Sequence, residues 1–166
     1  MRYKIRYIGD PILRKVAQDI TLFDDELRRT VTDMTGIMYK EDGIGLAAPQ
    51  IGLSVQLIII DASPVAEDET LRVFINPRIL ESSGESTVEE GCLSIPGVRE
   101  DVTRPEKIRL NYFDEFGKEY TEDFADWPAR IIQHEVDHLN GILFVDHISP
   151  LKRNLLINQQ AIPAVY

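Results

Sequence analysis

The spacing of apolar residues changes period twice along this chain, and that limits the fold more than any single residue does. Behind the acidic pair Asp24-Asp25, the residues Leu27, Val31, Met34, Ile37 and Met38 recur at helical spacing. The acidic side chains suit a helix N-terminus, so a helix is expected over 24–41, stopping before Gly43. The β-branched runs 55–60 and 71–75, ended by Asp61 and by Asn76-Pro77, read as strands. Segments 107–113 and 120–124 flank Asp114-Glu115-Phe116-Gly117 and read as a hairpin. Helical spacing returns at Asp126, which is placed as an N-cap with Pro128 in the first turn; Ile132, Val136, Leu139 and Leu143 form one stripe and Gly141 marks the end. Helix, several strands, helix argues for an α+β fold: mostly antiparallel sheets packed around the second helix, with an N-terminal helix, rather than a repeated βαβ sheet.

The 166 residues suffice for one core, and no repeat or Gly/Ser linker marks a boundary, so a single domain over 1–166 is expected. No apolar stretch approaches the roughly 18 residues of a membrane span; the longest, at 57–60, suits a buried strand. Gly9-Asp10-Pro11 arrives before an apolar signal region forms, so a cleaved secretory signal is not expected. With 18 Lys+Arg against 28 Asp+Glu the net charge is -10, which argues against a partner held through phosphate neutralisation and hence against direct nucleic-acid binding. The one cysteine makes no intramolecular disulfide and points to a reducing cytoplasm; Cys92 is core filler, nucleophile or metal ligand.

The second helix carries His134-Glu135-Val136-Asp137-His138. Histidines at i and i+4 lie one above the other on one face and reach one metal ion, while Glu135, rotated by about 100°, meets a water beside it. Back along the histidine face come Ile131 and Trp127, on a different side from the stripe of Ile132, Val136, Leu139 and Leu143. An apolar wall beside two such imidazoles is what a substrate pocket needs. A third ligand is expected. The thermolysin pattern takes a downstream Glu, and none follows Glu135; the metzincin pattern takes a histidine where this chain has Phe144. His147 and Cys92 remain as alternatives.

Cys92 lies in Glu90-Gly91-Cys92-Leu93-Ser94, with strand character before it and turn character after it. A second segment, Gly43-Ile44-Gly45-Leu46-Ala47-Ala48-Pro49-Gln50, has small residues where a backbone approaches a ligand closely, then a side-chain amide. Read alone it is a connection between a helix and a strand.

Together with Gln133-His134-Glu135-Val136-Asp137-His138, these segments resemble the three signature motifs of the peptide deformylases, in the family's order, and the resemblance covers nearly the whole chain. It implies removal of the formyl group from the N-formylmethionine of nascent polypeptides. It implies a metal held by Cys92, His134 and His138 with water in the fourth position. The family's metal is Fe(II), with nickel, cobalt or zinc as substitutes. Glu135 is implied as base and then acid, and the Gln50 side chain and Leu93 backbone N–H as donors to the formyl oxygen. Ile44, Trp127 and Ile131 are implied as pocket walls, and Gly45 as backbone for an extended peptide. Glu90 and Arg104 are implied as supports behind the ligands and Arg99 as a peptide contact.

Two departures stand out. Asp126-Trp127-Pro128 replaces the Gly-Leu-Leu type of entry of many bacterial members, so a differently shaped pocket rim is expected. The tail after Arg153 lacks the long basic helix that some members present to the ribosome, so ribosome association is expected to be transient or absent. The competing functions are a metallopeptidase that cuts internal bonds and a catalytically silent peptide-binding relative.

Overall fold

The computed structural model describes residues 2–166. The first helix, α1, spans Asp25–Lys40, and the Asp24 side chain caps it by accepting from the Leu27 N–H. It buries Leu27, Val31, Met34, Ile37 and Met38, the residues whose spacing predicted it. Five strands form an antiparallel sheet in the order β1 (Gly45–Ala47), β2 (Leu57–Asp61), β3 (Leu71–Ser83), β6 (Lys107–Phe113) and β7 (Glu119–Ala125). Between β3 and β6, β4 (Ser86–Cys92) and β5 (Ile95–Arg104) pair as a separate two-stranded sheet. The helix α2 (Asp126–Leu139) and the shorter α3 (Pro150–Asn158) complete the chain.

Every residue of β2 is buried, and its alternation divides between two cores. Leu57 and Ile59 pack with α1, whereas Ile58 and Ile60 pack with Ile132, Val136 and Leu139 of α2. The sheet is therefore a middle layer between α1 and α2. A third cluster joins Ile95, Val98 and Val102 of β5 to Leu143, Phe144 and Val145 after α2.

The structure corrects several sequence expectations. Asn76-Pro77 does not end β3: the strand continues to Ser83 through a register shift, with Asn76 at φ 51 and its side chain bonded to both the N–H and the C=O of Ile20. A bulge tolerates a proline that a regular ladder does not. Gly45–Ala47, read as a connection, is β1, and the turn after Cys92 is confined to residues 93–94 before β5 begins. Asp126 is not the N-cap: it is the first helical residue, at φ 56, after an extended Ala125, and no side chain among the described residues caps this end. Gly141 follows the helix at φ 73, as a helix-ending glycine does, but Leu143 lies beyond it in the third cluster. α3, capped by Ser149, had no counterpart among the expected elements. Among the described residues no helix is long and apolar enough to cross a membrane.

Candidate metal centre

α2 turns its apolar stripe to the sheet and its histidine face to the β4–β5 hairpin. The His134 and His138 rings stand 5.2 Å apart between centroids, and Cys92, the last residue of β4, is brought beside them. One donor atom from each of Cys92, His134 and His138 lies within 4.8 Å of the others, with Cys92 Sγ 3.4 Å from His138 Nε2. A thiol and two imidazoles this close together are a donor set for iron, nickel, cobalt or zinc. His147 does not join them; its Nε2 bonds Asp137 instead.

The support behind the donors is charged and buried. His134 Nδ1 donates to Glu90 Oε1 at 2.9 Å, which leaves Nε2 for the donor group. Glu90 also accepts two hydrogen bonds from Arg104, at 2.7 and 2.9 Å, and one from Arg130. Arg130 bridges onward to Val102 O and to Ser86 O and Oγ, so one guanidinium ties α2 to both strands of the hairpin. Burial opposes ionisation of Glu90, but His134 and Arg104 outweigh it and hold the carboxyl well below the usual range. Burial likewise opposes charge on both histidines. Glu135, Cys92 and Glu90 reverse this at His134, whose pKa rises, whereas repulsion from His134 deepens it at His138, whose pKa falls. His138 Nδ1 is buried without a hydrogen-bond partner among the described residues.

Glu135 is buried and its Oε1 likewise has no partner among the described residues. Burial, reinforced by Glu90, pushes its pKa up to about 7 against the pull of His134. Glycine at position 45 follows from contact: a Cβ there would sit 2.6 Å from Glu135 Oε2 and 2.9 Å from Ile131 Cγ2. Gln50 lies in a short 3₁₀ helix, Ala48–Ile51. Its Oε1 accepts from the Ala47 N–H at 2.9 Å, which turns Nε2 toward Ser94 Oγ at 3.1 Å and Cys92 Sγ at 3.5 Å.

A cavity of about 500 Å³ opens onto these groups. Ile44, Gly45, Trp127 and Ile131 line it together with Gln50, Cys92, Leu93, His134 and Glu135. Ile131 also belongs to the core beneath the sheet, so the wall and the core share it. Arg99 lines the cavity from an exposed position and bonds Glu89 at 2.8 Å, whereas Arg104 lies buried behind Glu90. Sequence reading passed over Arg130, Ser94 and Asp137. The signal for Arg130 was available: it precedes His134 by four residues and so lies on the histidine face of the helix.

Comparison with known proteins bears on the same segments. A family model described as Polypeptide deformylase matches residues 2–154. A peptide deformylase of Brucella suis biovar 1 is 46% identical over 153 residues, covering 92% of this chain and 87% of that protein. Among solved structures, a peptide deformylase from Synechococcus elongatus in complex with actinonin superposes with TM-score 0.92 at 43% identity, covering 99% of this chain and 91% of that one. The peptide deformylase of Thermotoga maritima gives TM-score 0.84 at 42% identity, covering 89% and 98%. With sequence and fold shared over nearly its whole length, this chain belongs to the polypeptide deformylase family.

Proposed function

We propose that this chain, acting as one catalytic domain over residues 1–166, removes the formyl group from the N-formylmethionine of newly made polypeptides, releasing formate and a free amine. One juxtaposition carries the reading: the Cys92, His134 and His138 donors lie within 4.8 Å of one another on a cavity whose lining includes Glu135, a buried carboxyl with an unpartnered oxygen. Those three residues hold one Fe(II), with nickel, cobalt or zinc as substitutes. Zinc competes strongly for such a site, since affinity rises from iron toward zinc for a given donor set. Bound there, the ion supplies Lewis acidity that makes water a nucleophile near neutral pH.

Glu135, with its pKa near 7, accepts the proton of the attacking water and returns it to the nitrogen as the bond from nitrogen to the formyl carbon breaks. Gln50 Nε2 and the Leu93 N–H donate to the formyl oxygen as it gains charge. Ile44, Trp127 and Ile131 receive the methionine side chain. The Gly45 backbone pairs with the peptide as an added strand, Arg99 contacts the peptide further along, and Glu90 keeps His134 oriented. The partners are N-formylmethionyl nascent peptides in the cytoplasm, with no direct nucleic-acid contact.

The test is hydrolysis of a formyl-Met peptide, assayed anaerobically with iron, nickel and zinc forms in parallel. Glu135→Gln is expected to keep its metal by elemental analysis and to lose about 10²–10⁴-fold in turnover. Unchanged turnover, or cleavage of internal peptide bonds with the formyl group intact, would overturn the reading.

A further inference from the structure

The chain has three histidines, and the proposed function uses two. His147 ends the short 3₁₀ helix Phe144–His147 that follows α2 and does not line the cavity. Its Nε2 donates to Asp137 Oδ2 at 2.8 Å, and the same oxygen accepts from Arg104 Nη1 at 2.8 Å. Arg104 turns Nε and Nη2 onto Glu90, and Glu90 accepts from His134 Nδ1. An unbroken line of hydrogen bonds therefore runs from a partly exposed histidine to the imidazole of the donor group. Asp137 is itself partly exposed. Without His147, Arg104 is its remaining side-chain partner among the described residues. A half-wet carboxylate tied on one side only is free to exchange that bond for water.

We infer that His147 is a positioning residue for metal retention: by fixing Asp137 it fixes Arg104 and Glu90, and through them the orientation of His134. The inference rests on the reading of Cys92, His134 and His138 as metal ligands. Groups directly behind a ligand typically change affinity by 10–100-fold; His147 stands further out, and about 3–10-fold is expected.

The experiment uses the full chain loaded with Ni(II) and follows transfer of nickel to excess EDTA. His147→Ala is expected to release nickel about 3–10-fold faster than the parent, with kcat lowered and KM held because the cavity wall is unchanged. His147→Gln keeps an N–H donor and is expected within about twofold of the parent. In an Asp137→Asn background His147→Ala is expected to add nothing, the non-additivity of residues acting through one another. Melting of the metal-free variants separates a folding defect from a metal effect. Parental release by His147→Ala, or a fully additive double variant, overturns the inference while leaving the ligand assignment intact. Failure of the parent to take up nickel overturns the ligand assignment itself. Should Asp137→Asn not fold, the contrast between His147→Ala and His147→Gln decides.

Discussion

The two elements that bring the metal donors together are held by different physics. α2 lies on the sheet through Ile132, Val136 and Leu139, a contact that is strong in sum but has no preferred direction. The β4–β5 hairpin, which carries Cys92, has an apolar footing in the third cluster through Ile95, Val98 and Val102. Its attachment to α2 is polar: Glu90, Arg104 and Arg130, each buried, joined by hydrogen bonds of fixed length. Apolar burial decides that the helix is there. Directional bonds between charges decide how far Cys92 stands from the histidines. The two imidazoles repeat the contrast, since His134 is anchored through Nδ1 and His138 Nδ1 is not.

The largest expected effect follows from removing the polar strut. Arg130→Ala takes one charged partner from buried Glu90, which keeps Arg104 and His134, and also removes the bonds to Val102 O and part-buried Ser86; it should cost about 3–5 kcal/mol. Elemental analysis of the protein that still folds should show reduced metal content; full occupancy would mean that the hairpin does not need this tie. Ile132→Ala, on the opposite face of the same helix, should cost about 3 kcal/mol in a denaturant titration. Its folded fraction should nevertheless keep the metal and turnover of the parent. Equal damage to both properties in both variants would erase the distinction.

A smaller effect is expected where a third polar junction closes the loop after α2. Arg14 grips both Asp146 oxygens, at 2.6 and 3.0 Å, and Asp146 also accepts from the Leu143 N–H. Burial opposes ionisation there, yet the Arg14 bonds prevail and the carboxyl lies below its ordinary 3.8. A depressed carboxyl stabilises the fold above its unfolded pKa and loses that contribution as pH falls through the folded one. Asp146→Asn should therefore cost about 2 kcal/mol at neutral pH. The gap from the parent should narrow only below about pH 3.8, and melting across pH checks it. A gap independent of pH would assign the junction to packing.

What could be read in advance follows the same division. α1, the β6–β7 hairpin and the body of α2 appear where the periodicity puts them, because amphipathic spacing and capping are local. Histidines four apart on a helix share a face whatever surrounds them, so that pair of candidate donors was visible at once. Cys92 was not, since β4 ends beside α2 only through contacts distant in the chain. Glu89 and Glu90 are adjacent and chemically alike, yet the pleat sends one into solvent and the other among two guanidiniums and an imidazole.

The sequence by itself determined the alternation of helix and strand, the histidine face of α2 and the glutamate beside it, because each depends on neighbours within a few residues. The tertiary structure alone decided that Asn76-Pro77 is a bulge and that Arg130 joins α2 to the hairpin. It also turned His147 toward Asp137 rather than the donors. Each of those outcomes needs a partner ten or more residues away in the chain. The solvation of a charge, unlike the period of a helix, is settled only when the whole chain has closed around it.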